Sequence, residues 1–124
     1  MKIEELREGN IVQYNGKIAR LGKDFLQNIS LNSVRPVVIT EKLLPYIGGV
    51  EWNYYPTNKF DVFSALIEGI AIRVIIDKGN DLTSINIYKP ESKIKWAAKS
   101  KEIPLHFFQN KYFDYIGTKL KINL

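Results

Sequence analysis

From Val50 to Ala97 the chain repeats one pattern, a short run rich in apolar and β-branched residues followed by a brief polar break. The runs are Val50–Tyr55, Phe60–Leu66, Ile70–Asp77, Leu82–Tyr88 and Lys93–Ala97. Between them lie Pro56-Thr57-Asn58, Glu68-Gly69, Lys78–Asp81 and Lys89–Ser92, all of turn-forming composition. Parallel neighbours need a crossover of roughly a dozen residues or more, and none of these breaks is that long. The segment is therefore expected to fold as an antiparallel meander. Ile70–Ile76 is apolar on both faces except at Arg73, which predicts the central strand.

The flanks obey different rules. Ile11–Tyr14 and Lys17–Leu21 surround Asn15-Gly16, a pair suited to the two positive-φ positions of a type I′ hairpin. Gly22-Lys23-Asp24 reads as a second turn, and alternation over Phe25–Leu31 predicts a third strand. Three short strands joined this tightly suggest a curled, SH3-like lobe over residues 1–39. Ser33–Ile39 reads as extended, because Pro36 biases Arg35 away from helix. Thr40 is placed to cap one or two helical turns over Glu41–Ile47, distorted by Pro45 and stopped at Gly48-Gly49.

At the C-terminal end the period changes. Leu105, Phe108, Tyr112, Tyr115 and Ile116 share one arc at a 100° step, with His106, Asn110, Lys111 and Asp114 opposite. This predicts an amphipathic helix over Leu105–Ile116, with Pro104 in its first turn and Gly117 at its C′ position. Leu120 and Ile122 suit a last short edge strand. The fold class is α+β, a single domain over 1–124 in which residues 40–124 form the antiparallel sheet with the helix packed on it.

Composition narrows the function classes. With 124 residues, 45% hydrophobic and 25% charged, the chain has the balance of one globular core. It contains no cysteine, so disulfides, thiol catalysis and cysteine zinc sites are excluded. No apolar run is long enough to span a bilayer, and MKIEELREGN lacks the apolar core of a signal peptide, so a cytoplasmic protein is expected. The net charge of +5 is unevenly placed: residues 1–85 balance, and the excess comes from eight lysines against Glu91, Glu102 and Asp114 in residues 86–124. Such asymmetry marks either a surface that meets phosphate or an acidic partner, or simply a solvated face.

Catalytic and metal chemistry find little to work with. The sole histidine, His106, falls on the polar side of the expected helix and reads as a surface residue, with no nucleophile signature in the chain. Glu4, Glu5 and Glu8 show no paired-carboxylate context, and Asp77–Asp81 lacks the ligand order of a calcium loop. No catalytic residue, metal ligand or cofactor is therefore expected, nor a small-molecule ligand. One constellation stands apart: Lys93, Lys95, Lys99 and Lys101 would project from one face of an extended strand, with Ile94 and Trp96 on the other. Such a row can follow a phosphate backbone, with Trp96 or Phe107 available to stack on bases. It can also serve only to protect an edge strand from aggregation. Phe107 lies on the charged side of the helix and is a candidate protein contact. Gln109 falls inside the apolar arc and so should bond a backbone group.

Both ends of the chain resemble a family of small proteins, with no assigned activity, from Bacteroides-type gut bacteria and their prophages and mobile elements. The opening KIEELREGNIVQYNGKI matches its Lys-Ile-x-Asp/Glu-Leu-Arg-x-Gly-Asn start. In the closing HFFQNKYFDYIGTKLKI, residues His106, Gln109, Asn110, Tyr112, Phe113 and Gly117 match its terminal helix, with Phe108 in place of a leucine. A looser match covers Arg35–Glu41, and Thr118-Lys119 replaces the family's usual Glu-Glu pair. The resemblance implies no mechanism. Together these readings point to a non-enzymatic binding or accessory protein of a mobile element or host chromosome, with weak, non-specific nucleic-acid binding. A protein–protein adaptor or small structural subunit is the alternative.

Overall fold

The computed structural model describes residues 5–24, 31–89 and 94–124. Two antiparallel sheets and an amphipathic helix make up the α+β architecture. The small sheet contains β1 (Ile11–Tyr14), β2 (Lys17–Arg20) and β3 (Val34–Pro36) in the order β2-β1-β3. The β1–β2 hairpin turns at Asn15 and Gly16, with φ of 51° and 79°, the positive pair a type I′ turn requires. Most of the strand expected over Phe25–Leu31 lies outside the described residues, and Leu31 opens a short 3₁₀ turn. On the side of β1 away from β2 lies β3, with Val12 opposite Pro36. Proline has no N–H to donate, and this edge position tolerates it.

The large sheet is the expected meander. Strands β4 (Asn53–Pro56), β5 (Phe60–Ile67), β6 (Ile70–Asp77), β7 (Leu82–Lys89) and β8 (Ile94–Ser100) lie side by side in sequence order, with β6 central. The β5–β6 turn is the two-residue link Glu68-Gly69, with φ of 50° and 80°. One face of this sheet is buried through Phe63, Ala65, Ile67, Ile72, Val74, Ile85 and Ile87. The helix α1 (Leu105–Ile116) contributes Leu105, Phe108 and Tyr112 to the same core. Phe108 and Tyr112 are fully buried and meet edge to face at 6.5 Å. Gly117 closes the helix at φ 90°, its N–H donating to the Phe113 carbonyl at 2.8 Å.

The connecting segment is less helical than expected. Only Leu44–Tyr46 forms a turn of 3₁₀ helix, because Pro45 removes a donor that a longer helix would need. Beyond the helix, Leu120 and Ile122 are buried, and Ile122 forms a single bridge to Ile47 in place of a strand.

The helix has two contact faces. Gln109 is buried, its Oε1 accepting the Ile11 N–H at 2.8 Å and its Nε2 donating to the Gly9 carbonyl at 3.1 Å. Asn110 donates to the Glu5 carbonyl and accepts from Asn10, both at 2.8 Å. These bonds tie the helix to the N-terminal segment while Phe108 and Tyr112 face the large sheet. A second small core, of Leu6, Val12, Leu21 and Val34, sits within the N-terminal lobe.

Candidate nucleic-acid interface

His106 corrects the sequence reading. It is only 3% exposed, because the N-terminal segment covers the helix face that the periodicity assigned to solvent. Its Nε2 lies 3.7 Å from a Glu5 carboxylate oxygen, and its Nδ1 has no hydrogen-bond partner among the described residues. Burial holds the imidazole below its usual pKa, against the opposing pull of Glu5. Tyr115 is a second correction: assigned to the apolar arc, it is exposed and leans on Trp96 at a ring distance of 6.3 Å. Phe107 is exposed as expected, with its ring 5.8 Å from Trp96 and the Lys111 ammonium 5.8 Å from its centroid.

The lysine row divides into parts. Lys95 and Lys99 are exposed and share one face of β8, while Trp96 and Ala98 turn to the core side. Lys101 lies beyond the end of the strand at a bend, so it leaves that alternation. Lys93 lies outside the described residues. β8 is an edge strand, the place where lysines discourage pairing between sheets.

Strand register assembles more than this row. The face of the large sheet opposite the core is open, and three rungs cross it. The first runs Tyr55, Val62, Ile75, Ser84, Lys99 across all five strands. The second runs Asn53, Ser64, Arg73, Asn86, Ala97. The third runs Leu66, Ala71, Tyr88, Lys95 over β5 to β8. A polar rung thus lies between two that mix apolar, aromatic and cationic groups. An open trough of about 730 Å³ follows this surface, lined by Asn53, Leu66, Arg73, Asn86, Tyr88 and Lys95 among others.

Electrostatically the face is positive. Arg73, Lys95 and Lys99 are exposed, and none of them forms an ion pair among the described residues. The Lys95 ammonium sits 5.5 Å from the Tyr88 ring centroid. Asp77, the acidic group at one end, is held by its own turn: the Asn80 side chain bonds its carboxylate, as do the backbone N–H groups of Gly79 and Asn80. These bonds, the Asn80 side chain foremost, together with the positive charge of Lys99, keep the Asp77 carboxyl below its usual pKa. Asn53, Ser64, Arg73 and Asn86 make no side-chain hydrogen bond among the described residues, so their donors and acceptors face outward.

Sequence reading singled out the lysines and missed Arg73, Asn86, Ser64 and Tyr88 as their companions. Their alternation within each strand was visible, but their grouping required the register between strands. Comparison of the chain with protein families, curated proteins and solved structures returned no match. Among the described residues, no helix is long and apolar enough to cross a membrane.

Proposed function

We propose that the chain is a non-enzymatic nucleic-acid-binding module whose contact surface is the open face of the large sheet. The observation that carries this reading is Arg73. It lies at the middle of the central strand, exposed and without an ion pair among the described residues. Edge protection accounts for Lys95 and Lys99, but an arginine two strands from either edge serves no such purpose. A cation there, with Lys95 and Lys99 beside it and Tyr55 and Tyr88 on the same face, suits phosphates and unstacked bases. On this reading the N-terminal lobe is an SH3-like accessory unit that fixes the helix. The protein acts in the cytoplasm as an accessory factor of a mobile element or host chromosome, in keeping with the family its ends resemble.

The adaptor reading has one observation in its favour. Leu66 and Tyr55, on the same face, are 65% and 57% exposed, which would suit an apolar protein partner. Salt separates the two. Three phosphate contacts to a single strand give a slope of log K against log salt of about −2, whereas apolar burial gives almost none. Fluorescence anisotropy with labelled oligonucleotides at low salt is expected to show weak binding that is lost when Arg73, Lys95 and Lys99 become glutamine. Absence of binding, or binding indifferent to those substitutions, would overturn the reading.

A further inference from the structure

Resting on that reading, we infer that the open face takes single strands in preference to duplex, and that Arg73 selects guanine. The first part follows from shape. Five strands spaced about 4.8 Å apart make a surface roughly 19 Å across, too broad to enter a major groove about 12 Å wide. Bases in a duplex are already stacked and cannot reach Tyr55 or Tyr88. Those of a single strand can lie flat on the face, as an aromatic platform requires. The Lys95 ammonium lies over the Tyr88 ring, 5.5 Å from its centroid, so a base stacking on that face would displace it toward the strand's own phosphate.

The second part follows from the middle rung. Arg73 lies directly between Ser64 on β5 and Asn86 on β7. Opposed side chains on neighbouring strands stand about 5 Å apart at Cβ, so the three can address one base together. A guanidinium presents two parallel N–H donors, the complement of the O6 and N7 acceptors of guanine. Thymine offers no such pair, since its N3–H donor stands between O4 and O2. Asn86 and Ser64 add a donor and an acceptor on either side, and none of the three side chains is committed within the protein among the described residues.

The experiment is a set of anisotropy titrations with strands of about twelve nucleotides, within the site sizes single-strand binders use. One alternates guanine with thymine and the other is thymine alone, each as DNA and, with uracil for thymine, as RNA, single and annealed to its complement. The guanine strand is expected to bind about tenfold more tightly than the thymine strand, and each single strand more tightly than its duplex. Arg73→Lys keeps the charge and loses the planar fork, so it should erase the guanine preference, read as the ratio of the two strands' affinities for the variant. Equal affinity for the two strands, or a preference that survives Arg73→Lys, overturns the role of Arg73 and leaves the binding face intact. Duplex bound as tightly as single strand overturns the single-strand preference. No binding of any strand overturns the inference and the reading beneath it together.

Discussion

Gln109 and Ile11, far apart in sequence, are joined by a 2.8 Å hydrogen bond from the Ile11 N–H to the glutamine Oε1, beneath a surface that leaves both buried. The same amide donates to the Gly9 carbonyl, so a single side chain satisfies two backbone groups at the start of β1. Gln109→Leu fills similar space and leaves both groups without a partner. It should cost about 1–3 kcal/mol in urea unfolding. A loss below experimental error would mean that the lobe and the helix are not coupled through this residue.

Phe107 and Phe108 are neighbours with opposite roles. Phe108 is fully buried against Tyr112, so Phe108→Ala should cost about 3–5 kcal/mol. Phe107 is 38% exposed and meets Trp96 and the Lys111 ammonium near the surface, so Phe107→Ala should cost about 1 kcal/mol or less. Thermal unfolding of the two variants checks the order. The reverse order would show that the helix presents a different face to the sheet.

Glu68 occupies the left-handed region at φ 50°, in a two-residue hairpin whose second position is Gly69. Asparagine adopts this conformation more readily than glutamate and is the favoured residue before glycine in such a turn. Glu68→Asn should therefore stabilise the protein by about 0.5–1 kcal/mol, read as a raised urea midpoint.

His106 gives the fold a pH dependence of known sign. Burial lowers its folded-state pKa below the ordinary value of 6.5, so in the window between the two the unfolded chain binds more protons. The contribution of neutral His106 is fully present above pH 6.5 and is lost as the pH falls from there through the folded-state pKa. Asp61, Asp77 and Asp114 are held below the usual carboxylate range, by bonds from Tyr54, Asn80 and Arg7 foremost, and so titrate in a more acidic window. Urea midpoints between pH 7.5 and 5.5 should fall for the native protein, and His106→Leu should remove most of that fall. An unchanged slope in the variant would assign the effect elsewhere.

The meander was legible because local signals settled it: Glu68-Gly69 and Lys78–Asp81 mark turns too short for any connection but a hairpin. The helix limits were legible too, since Pro104 and Gly117 bracket one apolar arc. His106 was misplaced for a physical reason. A 100° period reveals one apolar stripe, while this helix is also covered by a polar surface, where Asn10, Asn110 and Gln109 replace apolar contacts with hydrogen bonds. In the small sheet, Val34–Pro36 lies beside β1 within the stretch that Pro36 marks as extended, and that pairing follows from register, which local alternation does not show. The candidate site was half legible. Lys95 and Lys99 belong to one strand and could be seen together, but Arg73 and Asn86 join them only through register.

If the open face of the large sheet meets nucleic acid, its residues must respond to a bound strand before any others do. Two-dimensional ¹H–¹⁵N spectra of the labelled protein, titrated with a single-stranded oligonucleotide at low salt, read this residue by residue. The prediction is that the largest shifts fall on the Arg73 Nε–H, the Asn86 and Asn53 side-chain amides, and the backbone of Tyr88 and Lys95, with Gln109 and the small sheet unmoved. Shifts confined to the helix around Phe107 and Lys111, or none at tens of micromolar strand, would contradict it.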